Sequence, residues 1–165
     1  MKHKTKITPS GWNLPADYPE FIAILKRRIR SAQLKAALSI NRELIILYWQ
    51  IGRDLVEKQE SGGWDAKVIE TLARDLQKEF PGTGGFSRTN LYRMRAFYSA
   101  YSLPLEIVPQ AVGQSICPVP EPILNIPWGH IVILVEKMKD PLQREWHARN
   151  IRCHGWSRNL QALVV

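Results

Sequence analysis

Three arginines within eight residues, Arg88, Arg93 and Arg95, lie in a stretch from Phe86 to Tyr101 that holds no acid. Ser87, Asn90 and Tyr92 stand among them. These residue types can read or grip a nucleic acid. Arginine forks onto guanine or phosphate, asparagine pairs with adenine, and serine and tyrosine hydroxyls reach phosphate oxygens. A helix beginning at Ser87 would also aim its unpaired N–H groups at an anion. The candidate nucleic-acid-binding set is therefore Ser87, Arg88, Asn90, Tyr92, Arg93 and Arg95. Opposed to it stands a plain solvated helix with a few arginines. A second basic group, Lys26, Arg27 and Arg30 beside Arg28, joins the candidate set, because one side of it could lie along phosphates. A solvated helix start explains those charges equally well.

Catalytic chemistry is harder to find. A metal-dependent nuclease of the PD-(D/E)xK type needs an upstream acid and an acid-x-Lys on a neighbouring strand. Asp65-Ala66-Lys67 has the spacing and Asp54 could serve upstream, but both fall in or beside predicted helices. Asp65 is better read as the start of its helix. His147, Cys153 and His154 are zinc-compatible types without a paired ligand motif. No nucleophile elbow, P-loop or dinucleotide fingerprint is present. The expectation is no catalytic residue, no metal site and no cofactor.

Composition supports a polyanionic partner. Lys and Arg total 23 against 15 acids, giving +8 and a sequence pI near 9.7. A basic excess of this size is the electrostatic footprint of nucleic-acid binding. The charge is also segregated. Residues 1–42 hold nine bases and two acids, whereas residues 43–79 hold five bases and eight acids. Two cysteines, no secretory signal and no apolar run of membrane length lead to an expected cytoplasmic location without membrane association.

The elements that must position these residues are helical. Phe21, Leu25, Ile29, Ala32, Ala36, Ile40, Leu44, Leu47, Ile51 and Leu55 recur at steps of three and four. They predict one helix of roughly 40 residues, with Asp17 at its N-cap and Ser61-Gly62-Gly63 ending it. Its middle, with Leu44, Ile45, Leu47, Tyr48 and Ile51, exposes more apolar stripe than two short helices readily cover. Burial partly by another chain, as in a homodimer, or by a missing C-terminal domain is expected; a fold-back of residues 128–165 is the alternative. A second helix follows Asp65, with Val68, Ile69, Leu72 and Leu76 inward. Phe80-Pro81-Gly82 stops it, and Ser87 caps a third with Leu91, Met94, Tyr98 and Tyr101 inward. The pair has the outline of a helix-turn-helix, although its turn is longer than usual.

The expected organisation is a basic arm over residues 1–17, the long helix and helix-turn-helix-like pair over 18–102, a proline-rich linker or surface excursion over 103–127, and C-terminal helices over 128–165. The segment His130–Val135 could also be a strand. Asp140-Pro141 begins one C-terminal helix, Gly155 ends it, and Ser157 caps another. Trp49, Trp64, Trp128, Trp146 and Trp156 are expected in core or hinge packing, with Trp12 anchoring the arm. The fold class is all-α.

Several ordered blocks are familiar. Asn41-Arg42-Glu43-Leu44-Ile45 precedes Leu47-Tyr48-Trp49-Gln50-Ile51-Gly52. Gly63-Trp64, Val68-Ile69, Phe80-Pro81 and Gly85-Phe86-Ser87 follow. Then come Asn90-Leu91, Met94-Arg95, Phe97-Tyr98 and Tyr101, then Ile126-Pro127-Trp128-Gly129-His130 and His154-Gly155-Trp156-Ser157-Arg158. Over most of residues 18–158 the chain resembles the N-terminal domain of the YhcG-like family. The resemblance implies bacterial proteins of restriction, defence or mobile-element biology whose full-length members carry a C-terminal PD-(D/E)xK nuclease domain. It implies a DNA-binding, targeting role for the N-terminal domain, or alternatively a protein-interaction or dimerisation module that docks a nuclease or restriction-system partner. It carries over no binding residues. The chain ends at Val165, where the segment toward the nuclease is expected, so no nuclease activity is expected of it.

Overall fold

The computed structural model describes residues 14–102 and 118–155. Six α-helices run in the order α1 (Tyr18–Glu60), α2 (Ala66–Glu79), α3 (Arg88–Tyr101), α4 (Glu121–Leu124), α5 (Trp128–Lys137) and α6 (Pro141–His154). No strand occurs among the described residues, so the chain is all-α as its periodicity predicts. It divides into two compact units, Met1–Ala37 and Leu38–Val165.

The described part of the first unit is essentially the start of α1. Tyr18 N–H donates to Pro15 O and Phe21 N–H to Asp17 O, which sets the first turn. Pro19 is tolerated there because a first-turn N–H needs no helical acceptor. Every residue from Lys26 to Ala37 is exposed.

The second unit holds the remainder of α1 and the other five helices. Local sequence sets their ends. Asp65 accepts from Lys67 N and Val68 N and caps α2. Asp140 accepts from Leu142 N ahead of Pro141 and caps α6, and Gly155 ends that helix at φ 63°, a left-handed conformation that suits glycine. The segment around Ile131 is a helix and not a strand: Pro127 opens it, and Met138 N–H closes it on Leu134 O.

Two apolar clusters form the core. One gathers Ile45, Trp49, Phe97, Tyr101, Ile123, Ile131, Leu134 and Ile151. The other gathers Tyr48, Leu55, Ile69, Ala73, Phe86, Leu91 and Met94. Trp128 packs against both. Its ring meets Tyr48 edge-on at 4.9 Å and Phe97 at 5.4 Å, an arrangement that favours aromatic quadrupoles.

Two expectations need correction. Residues 118–127 are not a linker: Val119, Ile123, Leu124 and Ile126 are buried core side chains. The prolines allow this. Pro122 sits in the first turn of α4, and Pro127 precedes α5. Asn41 ties the segment to α1 by donating from Nδ2 to the Leu124 and Ile126 carbonyls at 3.3 and 3.1 Å. Arg42 pairs with Glu121, and hydrogen bonds from Arg42 and Asn125 hold that carboxyl below its ordinary range. Residues 103–117 lie outside the described set. The second correction is Trp146, which is 56% exposed. α6 turns Arg144, His147, Ala148 and Ile151 inward instead. Trp49 is buried and Trp64 and Trp128 are half-buried. Trp12, Trp156 and the Ser157 cap fall outside the described residues.

Candidate nucleic-acid interface

The candidate face is built on α3. Leu91, Met94, Phe97 and Tyr101 are buried on one side, Arg88 and Arg93 are exposed, and Tyr92 is half-buried at the edge of the second apolar cluster. Arg88, Tyr92 and Arg95 follow one another at steps of four and three and form a ladder. The Arg88 guanidinium lies 5.8 Å from the Tyr92 ring centre and that of Arg95 lies 5.0 Å from it. Such cation–π contacts restrict the side chains while leaving their N–H groups able to donate elsewhere.

Each arginine is also held by a different helix. Arg88 reaches Glu70 on α2 at 3.8 Å. Arg93 pairs with Glu136 on α5 at 3.1 Å. Arg95 donates to Gln59 Oε1 on α1 at 2.8 Å. The two ion pairs are solvent-exposed, so each is worth at most about 1 kcal/mol and can be exchanged for a phosphate. Arg93 and Glu136 also border a slot of about 300 Å³ between α3 and α5, floored by Phe97, Trp128 and Val132.

Ser87 and Asn90 have other engagements. Ser87 Oγ accepts from Asn90 N at 3.2 Å and caps α3. The Asn90 carboxamide donates to Gly85 O and accepts from Trp128 Nε1 at 2.7 Å. Both ends of that amide are occupied within the fold. Tyr48 completes the arrangement: its hydroxyl lies where a Cβ on Gly85 would stand, at 2.1 Å, and burial pushes its phenol above the ordinary value. Sequence reasoning did not anticipate Trp128 as the post against which α3 is set, although its Pro-Trp-Gly-His block was visible.

Lys26, Arg27 and Arg30 belong to the first unit and are all exposed. No cluster of three or more metal-ligating side chains occurs among the described residues, His147, Cys153 and His154 included. Asp65 uses its carboxylate as the α2 cap. Among the described residues no helix is long and apolar enough to cross a membrane.

A further surface lies between α1, α2 and the turn after α2. Leu47, Ile51, Leu55, Trp64, Leu72, Leu76, Phe80 and Phe86 line an open groove of about 570 Å³, with Asp54, Lys58 and Thr83 as its polar members.

These features meet a known family. The profile of the DUF1016 N-terminal domain matches residues 24–163. The chain belongs to the DUF1016 N-terminal domain family. It is similar to a protein of Escherichia coli (strain K12) named "Putative nuclease YhcG", at 26% identity over 132 residues. That alignment covers 73% of this chain and 33% of the relative, so the chain matches only a third of the relative's length. The DUF1016 match takes in α1 from residue 24 onward and all of α2 to α6, and so contains the α3 arginines, the Asn90–Trp128 contact and the groove. No solved structure matches it.

Proposed function

We propose that this DUF1016 N-terminal domain binds duplex DNA through α3 and thereby targets a nuclease. The observation that carries the reading is the solvent face of α3. Arg88, Tyr92, Arg93 and Arg95 stand on a helix with no acid, following a helix that can brace it. Phosphates would take the places of Glu70, Glu136 and Gln59, and the Tyr92 ring would keep two guanidiniums spread for them. Ser87 and Asn90 then act by fixing the start and aim of α3. Lys26, Arg27 and Arg30 add a second set of phosphate contacts from the first unit. The relative's name supports the nuclease link. Residues 1–165 are assigned binding, and no cleavage.

A gel-shift titration of the Arg88→Ala, Arg93→Ala, Arg95→Ala triple variant against duplex DNA tests this. The variant stays folded and binds much more weakly. Its salt dependence flattens by about one unit for each phosphate it no longer neutralises. Affinity equal to the parent sinks the assignment of α3.

The groove favours a second reading, a protein-interaction module that docks the nuclease or another copy. Apolar docking changes little with salt, whereas phosphate binding falls steeply, so two salt concentrations separate the readings.

A further inference from the structure

Glu136 is out of place on a surface that meets phosphates. It stands exposed on α5, 3.1 Å from Arg93 of the α3 face. An acid so placed repels a nucleic-acid backbone unless it is given something to accept. Behind the pair lies the slot between α3 and α5, about 300 Å³, with Ala96, Phe97, Val132 and Val135 among its apolar walls. Trp128 lines it too, and is half-buried although it packs against both core clusters. A second recess, reaching Asn90, Gly129 and Ile133, adjoins the slot. Arg93, Trp128, Val132 and Glu136 line both, so the ion pair stands where the two recesses meet.

Size and chemistry select the occupant. A recess of this volume, mostly apolar with a few polar groups, suits a small ring system and is far too narrow for a duplex. Its charged members are the donor Arg93 and the acceptor Glu136. A nucleobase has the matching parts: an aromatic body, N–H groups on its pairing edge, and a phosphate one sugar away. The slot also shares Tyr92 and Arg93 with the arginine-bearing face of α3. A strand held on that face therefore carries bases to the mouth of the slot. A paired base stays in its stack, so only an unpaired one can enter. An apolar side chain of a protein partner could fill the walls, but it would give the carboxylate nothing to accept.

We propose that the α3–α5 slot takes one unpaired base of the DNA held by α3, which makes this domain a reader of bulged or otherwise unpaired sites. The inference rests on DNA binding by α3. A phosphate draws Arg93 off Glu136, and the released carboxylate accepts an N–H of the base, such as the amino group of cytosine. Trp128 and Val132 shield the base from water. The adjoining recess receives its sugar.

Fluorescence anisotropy of the full chain with three labelled duplexes tests the proposal. One is fully paired, one has a single bulged cytosine, and one has an abasic residue at the bulge. The last keeps the distorted backbone and lacks the base. The cytosine bulge binds about tenfold more tightly than the abasic one, as contact with one base allows. Ala96→Phe fills the slot from an exposed position. It brings that ratio to about one by excluding the base, and leaves the affinity for the paired duplex unchanged. Val135→Phe is the second filler should Ala96→Phe lose its helical circular dichroism. Glu136→Ala lowers the ratio about threefold, the loss of one hydrogen bond. Equal binding of the two bulges, with the paired duplex still bound, overturns the slot and leaves DNA binding by α3 standing. A full ratio kept by the filled slot, or by Glu136→Ala, does the same. No binding to any of the three overturns both. Tight binding of the cytosine bulge without the paired duplex supports the slot and sinks duplex binding.

Discussion

Gly52 on α1 and Met94 on α3 meet backbone to backbone. A Cβ at Gly52 would stand 2.1 Å from the Met94 carbonyl oxygen and 2.9 Å from the Tyr98 Cβ. The absent side chain lets α1 lie directly against the helix that carries the candidate arginines. The first of those atoms belongs to the backbone, so no side-chain rotation relieves the clash. Gly52→Ala therefore costs about 1–3 kcal/mol or more, by forcing the two helices apart. Denaturant unfolding measures it. Gly84→Ala, where a Cβ meets nothing within 4 Å, serves as the control and stays near the parent. A Gly52→Ala protein as stable as the parent would contradict the close packing.

Removing the Asn90 carboxamide leaves the Trp128 indole N–H and the Gly85 carbonyl without their partner. Such partly buried orphans cost about 1–3 kcal/mol. Asn90→Ala is expected to lower the unfolding free energy by that amount and to shift the midpoint accordingly. An unchanged midpoint would mean that water replaces both bonds and that Asn90 is not a brace.

Freeing the arginines should strengthen DNA binding. Glu70→Gln and Glu136→Gln each release a guanidinium from an exposed ion pair. The double variant is expected to bind duplex DNA several-fold tighter at low salt, with the gain fading as salt rises. Unaltered or weaker binding in the same titration would show that Arg88 and Arg93 do not touch phosphate.

Acid sensitivity should trace in part to His147. Burial depresses its pKa below the ordinary 6.5, so the folded state favours the neutral ring. The unfolded chain binds more protons in the interval below that value, and stability falls as pH drops through it. The parent is expected to lose stability between about pH 7 and pH 5, and His147→Gln to lose less. Thermal melts at the two pH values decide, and equal losses in both proteins would count against it.

Asp65 gives a further check. Its carboxylate accepts from Lys67 N at 2.8 Å and Val68 N at 3.1 Å. Asp65→Ala is expected to cost about 1 kcal/mol, as removal of a cap does. No Mg²⁺-dependent DNA cleavage is expected from this chain with or without the substitution. Cleavage by the parent that vanishes in Asp65→Ala would reverse the assignment.

Local chemistry was legible in the sequence. Asp65, Ser87, Asp140 and Gly155 act within a few residues of themselves, and each stands where its type predicts. The long helix was legible because its stripe holds for many turns. Partnerships across the chain were not. Nothing near Arg93 announces Glu136, which is 43 residues away. The segment 118–127 misled because proline excludes continuous helix without excluding burial. α6 misled because it carries two candidate faces. Leu142 and Trp146 form the more apolar one, yet Arg144 goes inside, with its guanidinium over Tyr101 and its N–H groups on the Ala100 and Lys139 carbonyls. An aliphatic stem and two guanidinium nitrogens placed on carbonyls make that arginine a better core residue than its charge suggests, even with its buried Nε left without an acceptor.

The brace from Asn90 to Trp128 and Gly85 bears on how this family can vary. In a tight helix-turn-helix the turn itself fixes the angle of the second helix. Here the turn from Phe80 to Ser87 is loose at its tip, where added atoms on Gly82 or Gly84 would meet nothing, while the start of α3 is moored to α5. Residues inserted at the tip of this turn would therefore leave the arginines aimed as they are, whereas loss of the Asn90 mooring would not.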